Sequence, residues 1–74
     1  MNPLPVVSGR DVARALEKIG YVLDRRRGSH MILRQEQAPH RRLTIPDHKE
    51  LAKGTLRAIL RQAGLTVEDF QALL

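Results

Sequence analysis

The 74-residue chain has no cysteine, no tryptophan, one tyrosine (Tyr21) and one phenylalanine (Phe70). The lack of cysteine excludes disulfides, thiolate metal sites and cysteine nucleophiles, and it is compatible with the reducing cytoplasm, where the protein is expected to reside. The scarcity of aromatic rings removes the platform on which single-stranded bases stack in RRM-like and OB-like binders. No stretch approaches the ~18 consecutive apolar residues of a membrane span. The start, Met1-Asn2-Pro3-Leu4-Pro5, has neither the cationic head nor the apolar run of a signal peptide. A soluble, unexported protein with no membrane partner is expected. So short a chain buries only about 60–65% of its unfolded surface, which predicts one domain over residues 1–74 and no large substrate cavity.

What is present is positive charge, unevenly placed. Lysine and arginine total 13 against 8 acids, a net charge of +5. From Arg25 to Arg61 there are ten basic and three acidic residues, net +7, whereas the flanks together carry three basic and five acidic residues, net −2. Charge clustered in this way favours a polyanionic partner over mere solubility.

Ser8 followed by Asp11 reads as a helix N-cap, and Val12, Ala15, Leu16 and Ile19 continue as a core-facing stripe that Gly20 should end. Three strands follow, Tyr21 to Arg25, Ser29 to Gln35 and Arg41 to Ile45, with Pro46 closing the third. A second helix is expected from about Gly54 to Ala63, with Leu56, Ile59, Leu60 and Ala63 buried and Gly64 as its stop. A short last helix begins after Thr66, where Thr66 and Asp69 form a capping pair and Leu65 and Phe70 a hydrophobic staple. The pattern predicts an α+β fold, α-β-β-β-α with a short terminal helix, whose three-stranded antiparallel sheet carries helices on one face.

The most suggestive residues are Gly28-Ser29-His30, set between Arg25-Arg26-Arg27 and the alternating run Met31-Ile32-Leu33-Arg34. A three-residue loop Arg26-Arg27-Gly28, with left-handed Gly28, would put Tyr21, Leu23, Met31 and Leu33 on one core face. A two-residue Arg27-Gly28 turn would separate them, so the longer loop is preferred. It pairs Asp24 with His30 and places His30, Asp24, Arg34, Arg42 and Thr44 on the face away from the helices. RNA can be cut without metal when one group deprotonates the 2′-hydroxyl and another protonates the leaving oxygen, and imidazole suits either role near neutral pH. Arginines nearby would stabilise charge developing on the phosphoryl oxygens. The three residues are unspecific by themselves, and a surface histidine beside a solvated basic hairpin has the same sequence.

His40 falls in a loop, and His48 suits capping or packing after Pro46-Asp47. The spacing of the three histidines matches no common zinc pattern, so no metal or other cofactor is expected. Lys53, Arg57 and Arg61 recur every four residues as a cationic ridge, expected opposite Leu56 and Leu60. Its lack of interspersed acids suits phosphates or an acidic partner better than plain solvation.

Taken in order, Ser8-Gly9-Arg10-Asp11-Val12, Gly20-Tyr21, Arg25 through His30, Thr44-Ile45-Pro46-Asp47-His48, Lys53-Gly54-Thr55-Leu56 with Ile59-Leu60, and Ala63-Gly64-Leu65 leading to Phe70 resemble the HicA-type toxins of bacterial toxin-antitoxin pairs. The resemblance spans nearly the whole chain apart from the six N-terminal residues and the loop Glu36 to His40. It implies a double-stranded-RNA-binding-domain-like fold and a translation-inhibiting endoribonuclease, an mRNA interferase, with His30 at the catalytic position and Gly28 shaping its turn. It also implies a HicB-type antitoxin that occludes the active surface. The resulting expectation is a metal-independent RNase toxin. His30 would act as general acid or base, Gly28, Ser29 and Asp24 would support it, and Arg25, Arg26, Arg27, Arg34, Arg42, Lys53, Arg57 and Arg61 would bind RNA. The alternative is a non-catalytic RNA-binding module using the same basic surface. A DNA-binding partner module is weakened by the lack of a helix-turn-helix.

Overall fold

The computed structural model describes residues 3–74, so Met1 and Asn2 of the proline-containing start lie outside the described residues. The Ser8 side chain accepts a hydrogen bond from the Asp11 N–H, and the Asp11 carboxylate accepts one from the Ser8 N–H, both at 3.0 Å. This reciprocal box satisfies two donors that a helix start leaves unpaired, and it opens α1, Gly9–Glu17. The helix stops at Glu17, and Gly20, at φ 102°, turns the chain toward the sheet. Ile19, expected on the buried stripe, therefore lies past the helix and is 42% exposed.

Three strands follow, β1 (Tyr21–Arg27), β2 (His30–Gln35) and β3 (Arg42–Pro46), then α2 (Lys53–Ala63) and α3 (Val67–Leu73). The sheet is antiparallel in the order β1-β2-β3. Gly64 ends α2 in the left-handed region at φ 73°, where an L side chain is strained. The Thr66–Asp69 box then opens α3. The order and layering are those expected from the sequence, an α+β fold of the double-stranded-RNA-binding-domain type.

Alternation divides the sheet into two unlike faces. Met31 and Leu33 of β2 and Leu43 and Ile45 of β3 are buried, as is Tyr21 at the start of β1. They pack with Val12 and Leu16 of α1, Leu56, Ile59 and Leu60 of α2, and Phe70 of α3 in one apolar cluster. Each fully buried side chain of this size contributes about 1.5–3 kcal/mol by leaving water, so this face fixes the fold. The residues between them, His30, Ile32 and Arg34, and Arg42 and Thr44, point to the bare side.

The helix layer is drawn onto the sheet at Gly9, whose N–H donates to the His48 carbonyl at 2.9 Å. A Cβ built at Gly9 would fall on the Pro46 carbonyl oxygen, so only glycine permits this approach.

The hairpin differs from the expected one. Arg27 faces His30, Arg26 faces Met31 and Arg25 faces Ile32, so the loop is the two residues Gly28-Ser29. Gly28 has φ 57° and Ser29 does not have a positive φ, the pattern of a type II′ turn with glycine first. The register then shifts between Leu23 and Arg25, and Asp24 is the extra residue of a β-bulge. The bulge reverses side-chain parity, returning Leu23 to the side of Leu33 and Tyr21. A tight turn plus a bulge, in place of a three-residue loop, thus brings these side chains to one side, but Leu23, expected in the core, is 53% exposed there. Arg26 and Arg27 belong to β1, and Asp24 does not face His30.

Candidate active site

His30 is the first residue of β2, exposed, and flanked in the sheet by Arg27 of β1 and Pro46 of β3. Directly opposed strand residues hold their Cβ atoms about 4.5–5.5 Å apart, so the Arg27 guanidinium can reach a phosphate held at the imidazole. One step along the same face, Arg25 faces Ile32, and Ile32 faces Thr44. The pair Arg34 and Arg42 comes next. His30 therefore stands at one end of a surface whose protruding side chains are mostly arginines.

Asp24 closes the other end. Its carboxylate lies 3.7 Å from Arg34 Nε and 3.8 Å from an Arg42 guanidinium nitrogen. The expected Asp24–His30 pair is thus replaced by ion pairs with two arginines, and by strand rise Asp24 sits roughly 7–10 Å along the hairpin from His30. The bulge supplies this placement, because an extra residue in β1 can turn its side chain back toward the outer face.

Arg26 behaves differently from its two neighbours. Opposite Met31, it points to the helix side and donates to Asp47 Oδ2 at 2.7 Å. Arg10 of α1 donates to the other oxygen of the same carboxylate, Nε to Oδ1 at 3.1 Å. Hydrogen bonds from Arg26 first and Arg10 second hold the Asp47 carboxyl below its usual range. The Asp47 N–H also donates to the Ser29 carbonyl at 2.7 Å. Asp47 thus joins the start of α1, the end of β1 and the turn before His30. Sequence reasoning missed this role, because Pro46-Asp47 reads locally as a strand end and its partners lie 37 and 21 residues away.

The cations fall into two groups. Ion pairs engage Arg10 and Arg26 with Asp47, Arg14 with Asp11, and Arg34 and Arg42 with Asp24. Among the described residues no such pair engages Arg25, Arg27, Lys53, Arg57 or Arg61. Lys53, Arg57 and Arg61 do form an exposed row on α2, but at about 100° per residue it lies roughly a third of a turn from the buried stripe, on a flank of the helix. That corrects the expected placement opposite Leu56 and Leu60. Of the other histidines, His40 sits in the β2–β3 loop with Nδ1 3.2 Å from the Gln35 carbonyl oxygen. His48 is exposed beside a cleft of about 380 Å³ that is also lined by Ser8, Arg10, Asp47 and Lys49. No group of three or more His, Asp or Glu among the described residues is arranged to hold a metal ion.

Chemically, the surface offers one exposed imidazole, unpaired guanidinium groups beside it and no apolar enclosure. The family model describing the HicA toxin of bacterial toxin-antitoxin systems matches residues 9–65, from the first residue of α1 to just past α2. The chain belongs to the HicA toxin family. It is the toxin of a toxin-antitoxin pair and has an antitoxin as partner. The matched span contains His30, both carboxylate-arginine clusters and the α2 row. Among curated proteins no match is found. No helix among the described residues is long and apolar enough to cross a membrane.

Proposed function

We propose that this HicA-family toxin is an endoribonuclease that cuts mRNA without a metal ion, with His30 as the group that moves the proton. The observation that carries the reading is the setting of His30, an exposed imidazole directly across the strand pair from unpaired Arg27. In the reaction the 2′-hydroxyl loses its proton and its oxygen bonds to the adjacent phosphorus. The bond from phosphorus to the 5′-oxygen breaks, and that oxygen takes up a proton. His30 serves as base in the first transfer or acid in the second. Arg27 and Arg25 hold the phosphate and stabilise its extra charge. Arg34 and Arg42, loosely paired with Asp24, and the α2 row of Lys53, Arg57 and Arg61 extend the track for the strand. Arg26 contributes through Asp47 to the placement of the turn. The toxin works in the cytoplasm, where a HicB-type antitoxin covers this same face.

The deciding experiment compares purified wild type with His30→Ala on a defined RNA in the presence of EDTA. Loss of a general acid-base group should lower cleavage by roughly 10²–10⁴-fold with the melting temperature unchanged. Cleavage by the variant at the wild-type rate would remove His30 from the chemistry. RNA binding without cleavage by either protein would favour a non-catalytic binding module.

A further inference from the structure

Resting on that reading, we propose that Asp47 is a positioning residue for His30, holding the Gly28-Ser29 turn in the one arrangement that presents the imidazole. The turn itself has few means of staying in place. It joins the edge strand β1 to the central strand β2 at one end of the sheet, residues 24 to 30 are all exposed, and no helix covers its outer side. The last backbone group before His30 is the Ser29 carbonyl, and its partner is the Asp47 N–H at 2.7 Å. Whatever fixes Asp47 therefore fixes the approach to His30.

Asp47 is fixed from three directions. Arg10 reaches it from α1, donating from Nε to Oδ1 and from Nη2 to Oδ2 at 3.1 and 3.4 Å, and Arg26 reaches Oδ2 from β1. The next residue, His48, accepts from the Gly9 N–H at 2.9 Å. The carboxylate keeps only 13% of its side-chain surface exposed although the two arginines are 72% and 45% exposed. Charge-assisted hydrogen bonds of this kind are shorter and stronger than neutral ones, and the 2.7 Å contact is at the short end of their range. The segment after β3 has no helix or strand of its own, yet it acts as a rigid bracket between the helix layer and the turn.

Strand alternation puts Arg26 on the helix side and Arg25 and Arg27 on the outer face with His30, and the Asp47 carboxylate holds Arg26 where alternation puts it. Without the negative charge, Arg26 and Arg10 would repel each other across the end of the sheet, and the hairpin tip would lose its anchor. Asp47 does this without facing RNA, because its oxygens are already taken by protein donors.

The test replaces Asp47 with Asn, which keeps the size and loses the charge, and Arg26 with Gln, which removes the closest partner and leaves Asp47 in place. Each variant is compared with wild type and His30→Ala in two measurements. The first is steady-state cleavage of one oligoribonucleotide, where kcat should fall at least tenfold in both variants while KM stays within about threefold in Asp47→Asn. The second is the NMR line shape and hydrogen exchange of the Gly28, Ser29, His30 and Asp47 amides, which should show faster motion confined to the turn with the core amides unchanged. An unchanged kcat in folded Asp47→Asn would overturn the proposal, as would unchanged turn amides in both variants. A rise in KM matching the fall in kcat/KM would overturn it too, since that marks a residue felt through RNA binding. If wild type and His30→Ala both leave the RNA intact, it is the endoribonuclease reading that fails, and the amide measurement still decides whether Asp47 holds the turn.

Discussion

Asp24 and Asp47 each hold two arginines, on opposite sides of one small sheet, and they do so in different ways. Asp47, on the helix side, makes hydrogen bonds down to 2.7 Å with a side chain 13% exposed. Asp24, on the outer side, approaches its partners only to 3.7 and 3.8 Å with a side chain 28% exposed. Exposed ion pairs at such separations contribute about 0–1 kcal/mol, and salt screens them. The carboxylate on the helix side is built into the fold, whereas the one on the outer side engages its arginines only loosely. A protein of net charge +5 thus spends its few acids unequally, fixing arginines on one face and only loosely tethering them on the other.

The comparison carries a pH signature. The Asp47 carboxyl is held below its ordinary range in the folded state, so its contribution is present above the unfolded carboxylate pKa and is lost as acid takes the pH down through the folded value. The capping residues Asp11 and Asp69 are lowered in the same sense, each first by the backbone N–H it accepts from, that of Ser8 or Thr66. All three act on structure, and acidification loosens them together.

The largest effect expected on the helix side comes from Gly9→Ala. In most helices this change stabilises by up to about 1 kcal/mol. Here the new methyl meets the Pro46 backbone carbonyl, which the sheet and Asp47 hold in place. Overpacking against backbone costs about 2–3 kcal/mol, or roughly 10–20 °C in melting temperature for a chain of this size. Gly54→Ala is the control, since nothing lies within 4 Å of its would-be Cβ, and it should leave the melting temperature level or raise it. Equal melting temperatures for the two variants would show that the helix layer can slide on the sheet.

Much of this was legible in the sequence, for reasons that also mark where legibility ends. Ser8 with Asp11 and Thr66 with Asp69 are local signals, and both boxes form as read. Alternation in Met31 to Leu33 and Leu43 to Ile45 gave the buried face. The hairpin register was not legible, because a three-residue loop and a two-residue turn with a bulge satisfy the same apolar pattern. Only tertiary packing distinguishes them, and the choice moves Asp24 away from His30. Ile19 shows the same limit, since periodicity does not say where a helix ends. The Asp47 bracket depends on partners brought together by the fold and leaves no local trace.

On the outer side, Asp24→Asn should increase RNA affinity. Removing the carboxylate frees Arg34 and Arg42, and each added single-strand phosphate contact steepens the salt dependence by about 0.7 in log-log slope. The binding constant for an oligoribonucleotide, measured by anisotropy in a His30→Ala background to prevent cleavage, should tighten several-fold at low salt. The melting temperature should move by no more than a few degrees. Weaker binding would mean that Asp24 preorganises the two arginines for RNA, making the outer carboxylate as structural as the inner one.

The smallest effect is expected at Tyr21, where the helix side departs from its own rule. Tyr21 is 2% exposed, and its hydroxyl is the buried side-chain oxygen that lacks a hydrogen-bond partner among the described residues. A hydroxyl taken from water without a partner carries an uncompensated desolvation cost, typically about 1–3 kcal/mol. Its ring, in contrast, belongs to the apolar cluster that holds the sheet and helices together. Tyr21→Phe keeps the ring and deletes the orphaned group, so the melting temperature should stay level or rise, by about 5 °C for each kcal/mol of that cost relieved. The hydroxyl plays no part in the site, so cleavage should be unchanged. Thermal unfolding of the variant checks this directly. A loss of more than about 1 kcal/mol would show that the hydroxyl is bonded in solution, and the helix side would then be satisfied at Tyr21 as it is at Asp47.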